Sequence, residues 1–120
     1  MAASTIQVAS NMPVIRTTFL PTTGSSDPFY GGCYYERYGN IVHVHVGVKS
    51  ITTNTVLQIY TLPSEVRPSV PAGQTKVTIF GHGTGGSSSN IGYLDVSSDG
   101  VVQIRSNGGT AVGADVTYFI

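Results

Sequence analysis

His43 and His45 stand two residues apart in the stretch "GNIVHVHVGV", residues 39–48. Two imidazoles at this spacing can bind a metal ion or act as general acid and general base. On a β-strand, residues i and i+2 lie on the same face, so the two histidines would share one face and the intervening valines the other. The surroundings of the stretch therefore decide whether it is a reactive site or the outward side of a strand.

A metal centre needs more ligands than this pair supplies, since structural sites usually have four. The sequence contains no Cys-x-x-Cys pair, and its six carboxylates are dispersed. We therefore predict no metal and no cofactor within one chain, and no acid and base pair that would make the chain an enzyme. A symmetric trimer could bring His43 and His45 of three chains together, and this alternative stays open.

The stretch "GHGTGG", residues 81–86, matches the dinucleotide-binding pattern G-x-G-x-x-G. That function requires the glycines to open a helix whose N-terminus holds the pyrophosphate. The following residues, "SSSNIGYLDV", have no helical period. We therefore predict a flexible loop over residues 81–90, where His82, Asn90 and the nearby Tyr93 could contact a ligand.

The composition indicates an all-β chain. Fifteen Val, nine Ile and fourteen Thr outnumber four Leu, two Lys and two Glu, and β-branched residues favour strands. Six basic residues balance six acidic ones without any basic cluster, so we predict no nucleic-acid partner. No apolar run approaches the roughly 20 residues of a membrane span, so we predict no membrane insertion.

Turn residues divide the chain into a lead-in, residues 1–29, and a head domain, residues 30–120. The lead-in holds two short extended segments, "TIQVA" and "PVIRTTFL", and the linker "PTTGSSDP". In the head, short strand patterns follow one another at near-regular spacing, interrupted by the proline-rich crossover "PSEVRPSVPAG". This pattern predicts an antiparallel β-sandwich with jelly-roll or Greek-key connections.

The register of one hairpin follows from its turn. A two-residue Gly39-Asn40 loop of type II′ pairs Tyr38 with Ile41 and, further along, Glu36 with His43. Cross-strand neighbours share a face, so the core face is predicted to carry Cys33, Tyr35, Val42, Val44, Val46 and Val48. The opposite face carries Tyr34, Glu36, Tyr38, Ile41, His43 and His45. The single cysteine, Cys33, is then a buried and inert thiol with no histidine on its own face.

The outward face is rich in tyrosine, whose ring can stack on a sugar while its hydroxyl forms hydrogen bonds. Four of the seven tyrosines fall within residues 30–38. The residues leave three alternatives open for the face of Tyr34, Glu36, Tyr38 and His43: a subunit interface, a ligand surface or solvated sheet.

Residues 30–120 resemble the C-terminal tip domains of bacteriophage tail fibres and receptor-binding proteins, including heads from phages of Gram-positive bacteria. The resemblance rests on "YYERYGNIVHVHVGV", "TLPSEVRPS", "LDVSSDGVVQIRSNGG" and "VTYFI", in that order. These segments are mostly turn and strand signals, and the resemblance covers about three-quarters of the chain.

The resemblance implies a homotrimeric head of a virion adhesin that binds a host cell-surface saccharide. The resemblance also implies that other phage tail or baseplate proteins are partners of the chain. It implies that the chain is part of the virion, which is assembled in the host cytoplasm. From the residues of the chain itself, the predicted ligand-binding set is Tyr34, Glu36, His43, His82, Asn90 and Tyr93. Two alternatives are a trimerisation or baseplate scaffold without a ligand, and an accessory carbohydrate-binding module of a depolymerase or lysin.

Overall fold

The computed structural model describes residues 14–84 and 91–120, without the side chains of residues 79–84. The described residues form nine strands: β1 (Ile15–Thr18), β2 (Ser25–Ser26), β3 (Tyr34–Tyr38), β4 (Ile41–Lys49), β5 (Leu57–Thr61), β6 (Lys76–Thr84), β7 (Ile91–Ser97), β8 (Val101–Ser106) and β9 (Ala111–Phe119). Two 3₁₀ turns lie at Pro28–Tyr30 and Ser64–Val66. The segment "TIQVA", predicted to be extended, lies outside the described residues.

The strands form one antiparallel sheet in the order β1-β3-β4-β9-β6-β7-β8-β5, and β2 pairs with β4. Strand β6 connects the two halves, because it pairs with β7 along most of its length and with β9 at residues 82–84. The predicted all-β, antiparallel class is confirmed. Within the described part of the chain, no helix has the length and apolar character needed to cross a membrane.

The sheet curls until its two outer strands approach each other. Just after β1, Phe19 stacks on Tyr60 of β5 with ring centroids 4.1 Å apart. The Thr22 N–H donates to the Ile59 carbonyl at 2.9 Å. Both halves of the sheet therefore face one hydrophobic core.

The core is built by alternation along the strands. Its fully buried side chains include Val42, Val44, Val46 and Val48 of β4, Leu94 and Val96 of β7, and Val102 and Ile104 of β8. Removing a Val or Leu side chain from water contributes roughly 1.5–3 kcal/mol to stability. These eight residues therefore supply much of the hydrophobic driving force that holds the two halves together.

The predicted β3–β4 hairpin is confirmed pair by pair, from Tyr38 opposite Ile41 to Tyr34 opposite His45. Gly39 has a φ of 61°, as the first central residue of a type II′ turn requires. The predicted core face, including Cys33 and Tyr35, is buried, and the two histidines are on the other side.

The predicted loop at residues 81–90 is wrong for residues 81–84, which continue β6 as far as Thr84. Gly81 pairs with Gly92, and His82 pairs with both Ile91 and Gly113. The strand pairings supply the backbone hydrogen bonds that a flexible loop would lack. Glycine is also required here by packing, since a Cβ on Gly92 would lie 2.9 Å from Val112.

The last strand is longer than predicted, and the structure leaves three predictions untested. β9 begins at Ala111, three residues before the predicted strand "ADVTYFI". The division between a 1–29 lead-in and a 30–120 head stays a prediction, although β1 and β2 pair with β3 and β4 of the head. The jelly-roll connectivity and the homotrimer also stay predictions.

The proline-rich crossover rests on the turn between β7 and β8. Leu62 N–H donates to the Gly100 carbonyl at 2.8 Å, and Arg67 Nε donates to the Leu62 carbonyl at 2.9 Å. Gly100 has a φ of 91°, and a Cβ there would lie 2.7 Å from the Leu62 carbonyl oxygen. Glycine at this position therefore fixes the contact between turn and crossover.

We expect Gly100→Ala to lower the free energy of unfolding by at least about 2 kcal/mol, from left-handed backbone strain together with overpacking. Gly73→Ala is the matched control, because Gly73 has a φ of 86° but no atom within 4 Å of the added Cβ. It should cost about 1 kcal/mol through backbone strain alone. Urea unfolding of both variants measures the difference, and equal losses would contradict the packing argument.

Candidate functional site

Three strands place a cluster of polar side chains on the outward face of the sheet. Strand β3 supplies Glu36, β4 supplies His43 and His45, and β9 supplies Asp115, which is paired with His45. The alternation that buries the valines of β4 turns both imidazoles outward. The histidine side chains are 23% and 15% exposed, while that of Asp115 is 57% exposed. The cluster is therefore partly shielded from water but open on the side of the aspartate.

The two histidines converge on one carboxylate oxygen. Oδ1 of Asp115 lies 2.7 Å from His43 Nε2 and 2.6 Å from His45 Nδ1. One atom from each of the three residues falls within 4.8 Å of the other two. Sequence reasoning missed Asp115, although its alternation with buried Ala114 and Val116 already indicates an outward position.

The opposite nitrogen of each ring also has an oxygen partner. His43 Nδ1 lies 3.3 Å from Oε1 of Glu36, and the same oxygen accepts from Nη2 of Arg16 at 3.2 Å. His45 Nε2 is in hydrogen-bond contact with the backbone carbonyl of Tyr30. Each ring thus has an oxygen atom next to both of its nitrogens.

The position of Tyr30 depends on two glycines. Gly47 of β4 and Gly113 of β9 are paired across the strands. A Cβ on Gly47 would lie 2.7 Å from Tyr30 Cβ, and one on Gly113 would lie 2.9 Å from the Tyr30 ring. Asp27 fixes the same turn, since its N–H donates to the Gly47 carbonyl and its side chain accepts from Phe29 N–H. The glycine pair therefore lets Tyr30 lie flat on the sheet, with its carbonyl beside His45.

The pKa of Asp115 lies below its ordinary value. Partial burial acts to raise the pKa of this carboxyl, but hydrogen bonds with His45 and His43 and its electrostatic attraction to these two residues outweigh the effect of burial. The carboxylate form is therefore the stable one beside the two imidazoles.

Tyr34 is held by ring contacts on this face. The guanidinium of Arg16 lies 4.0 Å from the centroid of its ring, and His45 stacks on it with centroids 4.8 Å apart. Arg16 comes from β1 and His45 from β4, on either side of β3. The Tyr34 ring is therefore already engaged by its neighbours.

A cavity of about 270 Å³ lies elsewhere, around β6, β7 and β8. Its lining combines one aromatic ring, two cations, a carboxylate and a hydroxyl with two aliphatic side chains: Val56, Lys76, Thr78, Tyr93, Asp95, Ile104 and Arg105. Asp95 accepts from Thr78 Oγ1 at 2.6 Å and from Lys76 Nζ at 3.2 Å. The carboxylate is thereby oriented at the cavity wall.

The predicted ligand-binding residues fall into three groups. Tyr34, Glu36 and His43 lie together on the β3–β4 face, whereas Tyr93 lines the cavity. The backbone of His82 lies in β6 between Ile91 and Gly113, and Asn90 lies outside the described residues. Sequence reasoning did not select Lys76 or Arg105, because only the pairing of β6, β7 and β8 brings them beside Tyr93. It also missed Asp95, although Tyr93 and Asp95 are two residues apart on β7 and so share a face.

Cys33 lies on the core side, as predicted. It is 3% exposed, and its Sγ lies 3.6 Å from the Gly47 carbonyl. Burial raises the pKa of the thiol, and the hydrogen bond with Gly47 only partly offsets this. Cys33 is also among the residues that line a surface cavity of about 330 Å³.

We expect the Cys33 thiol of the folded protein to react with iodoacetamide at pH 8 at least about 100-fold more slowly than that of the unfolded chain, because burial blocks access and suppresses the thiolate. Mass spectrometry of timed samples, with and without guanidinium, measures the two rates. Similar rates in both conditions would show that the thiol is accessible in the native fold.

Comparison with known proteins identifies the fold. No model of a protein family matches the sequence, and no curated protein matches it. Among solved structures, the receptor binding protein gp15 of Listeria phage PSA is similar, with a TM-score of 0.67 and 16% sequence identity. The similarity covers 99% of this chain and 73% of that one. The chain therefore has an all-β fold shared with a phage receptor binding protein.

Proposed function

We propose that this chain is the host-recognition head of a bacteriophage tail and binds a saccharide on the host cell surface without catalysing a reaction. The observation that carries the proposal is the fold shared with the Listeria phage receptor binding protein over 99% of the chain. The resemblance of the sequence to tail-fibre tips supports it independently. In this function the chain belongs to the virion and contacts other tail or baseplate proteins.

The cavity beside Tyr93 is the site that we propose for the sugar. Ligand sites combine apolar or aromatic surface with a few oriented polar groups, and this cavity has both. A sugar ring can stack on Tyr93, while Asp95, Lys76 and Arg105 offer hydrogen bonds to its hydroxyls. The volume of about 270 Å³ is near the lower end of ligand pockets, which favours one saccharide unit.

The remaining predicted residues take a secondary place in this proposal. The ring of Tyr34 is engaged by Arg16 and His45, and Glu36 is in contact with Arg16 and His43. A sugar at either place would compete with contacts inside the chain, since Asp95 and Lys76 of the cavity also pair with each other. His82, near the end of β6, and Asn90, the residue before β7 in the sequence, stay proposed contributors.

We expect Tyr93→Ala to weaken binding to the host surface roughly 10- to 100-fold, the loss typical of an aromatic anchor at the centre of a site. Fluorescently labelled protein on host cells and on a glycan array provides the measurement. Tyr38→Ala is the matched control, because Tyr38 is a partly exposed tyrosine of β3 outside the cavity lining.

The outcomes separate the alternatives. Loss in Tyr34→Ala but not in Tyr93→Ala would move the saccharide to the β3–β4 face. A folded protein that binds neither cells nor glycans would overturn saccharide recognition and favour a tail scaffold. Binding to glycans by a monomer would favour an accessory carbohydrate-binding module.

The proposal includes a homotrimer. Several large apolar side chains of the described residues are exposed, with Phe29 at 85%, Leu20 at 80% and Phe119 at 70%. Charged residues make up only 10% of the sequence, which permits close contact between chains. Both observations support burial of part of this surface against other copies.

We therefore expect a particle of about 38 kDa in solution, three times the 12.6 kDa chain, because most soluble homo-oligomers have closed symmetry. Light scattering coupled to size-exclusion chromatography gives the mass. A mass equal to one chain over a range of concentrations would contradict the trimer.

A further inference from the structure

When both rings are neutral, the cluster of His43, His45 and Asp115 has fewer donors than its four contacts would use. Four ring nitrogens each face an oxygen: two contacts go to Asp115, one to Glu36 and one to the Tyr30 carbonyl. A carboxylate or carbonyl oxygen only accepts hydrogen bonds. All four contacts would be hydrogen bonds only if both rings carried two protons each.

A neutral imidazole has one N–H and one lone pair. In either tautomer, each ring therefore turns one lone pair toward an oxygen that also carries lone pairs. One pair of tautomers places both unprotonated nitrogens at the same point, His43 Nε2 and His45 Nδ1 beside Oδ1 of Asp115. In that arrangement His43 donates to Glu36 and His45 donates to Tyr30.

We propose that His43 Nε2, His45 Nδ1 and Asp115 Oδ1 bind a divalent transition-metal ion of the Zn²⁺ class. A cation at this point accepts both nitrogen lone pairs and neutralises the carboxylate. The site goes beyond saccharide recognition and does not depend on it. It lies within a single chain, unlike the trimeric arrangement that the sequence left open.

The three ligand atoms lie within 4.8 Å of one another, and binding an ion requires both the carboxylate and the imidazole rings to shift. Bonds of about 2.0–2.2 Å in tetrahedral arrangement place ligand atoms about 3.3 Å apart. The two nitrogen–oxygen distances, 2.7 and 2.6 Å, must therefore lengthen by about 0.6 Å. The two ring nitrogens must also approach each other to about 3.3 Å, which small rotations of the imidazoles about their side-chain bonds would provide. Asp115 can move away from both rings because 57% of its side chain is exposed. That exposed side also leaves room for a water molecule as the fourth ligand.

The surroundings of the rings match those of metal-bound histidines. Such rings usually donate their second N–H to a carboxylate or a backbone carbonyl, which fixes the tautomer and the ring plane. Glu36 provides the carboxylate for His43, and Tyr30 provides the carbonyl for His45. The turn that seats Tyr30 on Gly47 and Gly113 thereby orients a ligand of the site.

The donor set selects the kind of ion. Two imidazoles and one carboxylate suit Zn²⁺, Co²⁺ and Ni²⁺, whereas Ca²⁺ and Mg²⁺ require mostly oxygen ligands. We therefore expect Zn²⁺ and Co²⁺ to bind at one ion per chain, and Ca²⁺ and Mg²⁺ not to compete at equal concentration.

The test uses the full chain, freed of any affinity tag and dialysed against a chelator. Co²⁺ is followed by its visible absorption and Zn²⁺ by calorimetry, both at pH 7.5. Asp115→Asn and His43→Gln should each weaken binding at least about 100-fold, because each removes a ligand. Glu36→Gln should weaken it about 10-fold, since changes to outer partners cost 10- to 100-fold and Gln retains an acceptor oxygen.

Asp95→Asn is the matched control and should leave the affinity unchanged, because this carboxylate contacts Lys76 and Thr78 and no histidine. Circular dichroism establishes that each variant is folded. For the unaltered chain, the ring signals of His43 and His45 in NMR spectra should shift on Zn²⁺ binding, which keeps the test valid if a histidine variant unfolds. No binding at millimolar Zn²⁺ or Co²⁺, or equal affinity in Asp115→Asn, would overturn the proposal.

Discussion

The alternation of side chains along β4 is the constraint on which the rest of the structure depends. This strand lies between β3 and β9, and its buried valines point into the core while His43 and His45 point out of it. A shift of one residue would bury both imidazoles and expose four valines, at a cost of several kcal/mol. The same burial that stabilises the domain therefore also fixes the register that brings the histidines beside Glu36 and Asp115.

The features that could be predicted from the sequence are those that depend on residues close together in the chain. A two-residue turn at Gly39-Asn40 fixes the β3–β4 register, so the faces of Tyr34, Glu36 and His43 could be assigned without coordinates. Asp115 could not be placed, because it is separated from His45 by 70 residues and no local pattern specifies that β9 pairs with β4. Tyr93 could be selected as an aromatic candidate, but Lys76 and Arg105 become its neighbours only through the pairing of three strands.

The clearest wrong prediction is the flexible loop at residues 81–84, which was based on the glycines of that stretch. Local preference favours a flexible loop at Gly81 and Gly83, yet both lie in β6, because pairing with β7 and β9 outweighs the entropy lost by ordering glycine. The pair of Gly47 and Gly113 illustrates the same use of glycine, as a place where the missing side chain admits Tyr30. In this fold, several glycines act through close approach of chain segments rather than through mobility.

The segment after β1 has a consequence for how copies of the domain coexist at high density. Thr22 and Thr23 hydrogen-bond to the carbonyls of Gln58 and Ile59 along the outer side of β5. An uncovered strand there would be a template on which another molecule could add its own backbone. With those carbonyls satisfied internally, neighbouring copies of the domain at high concentration are discouraged from joining through β5 into a common sheet and aggregating.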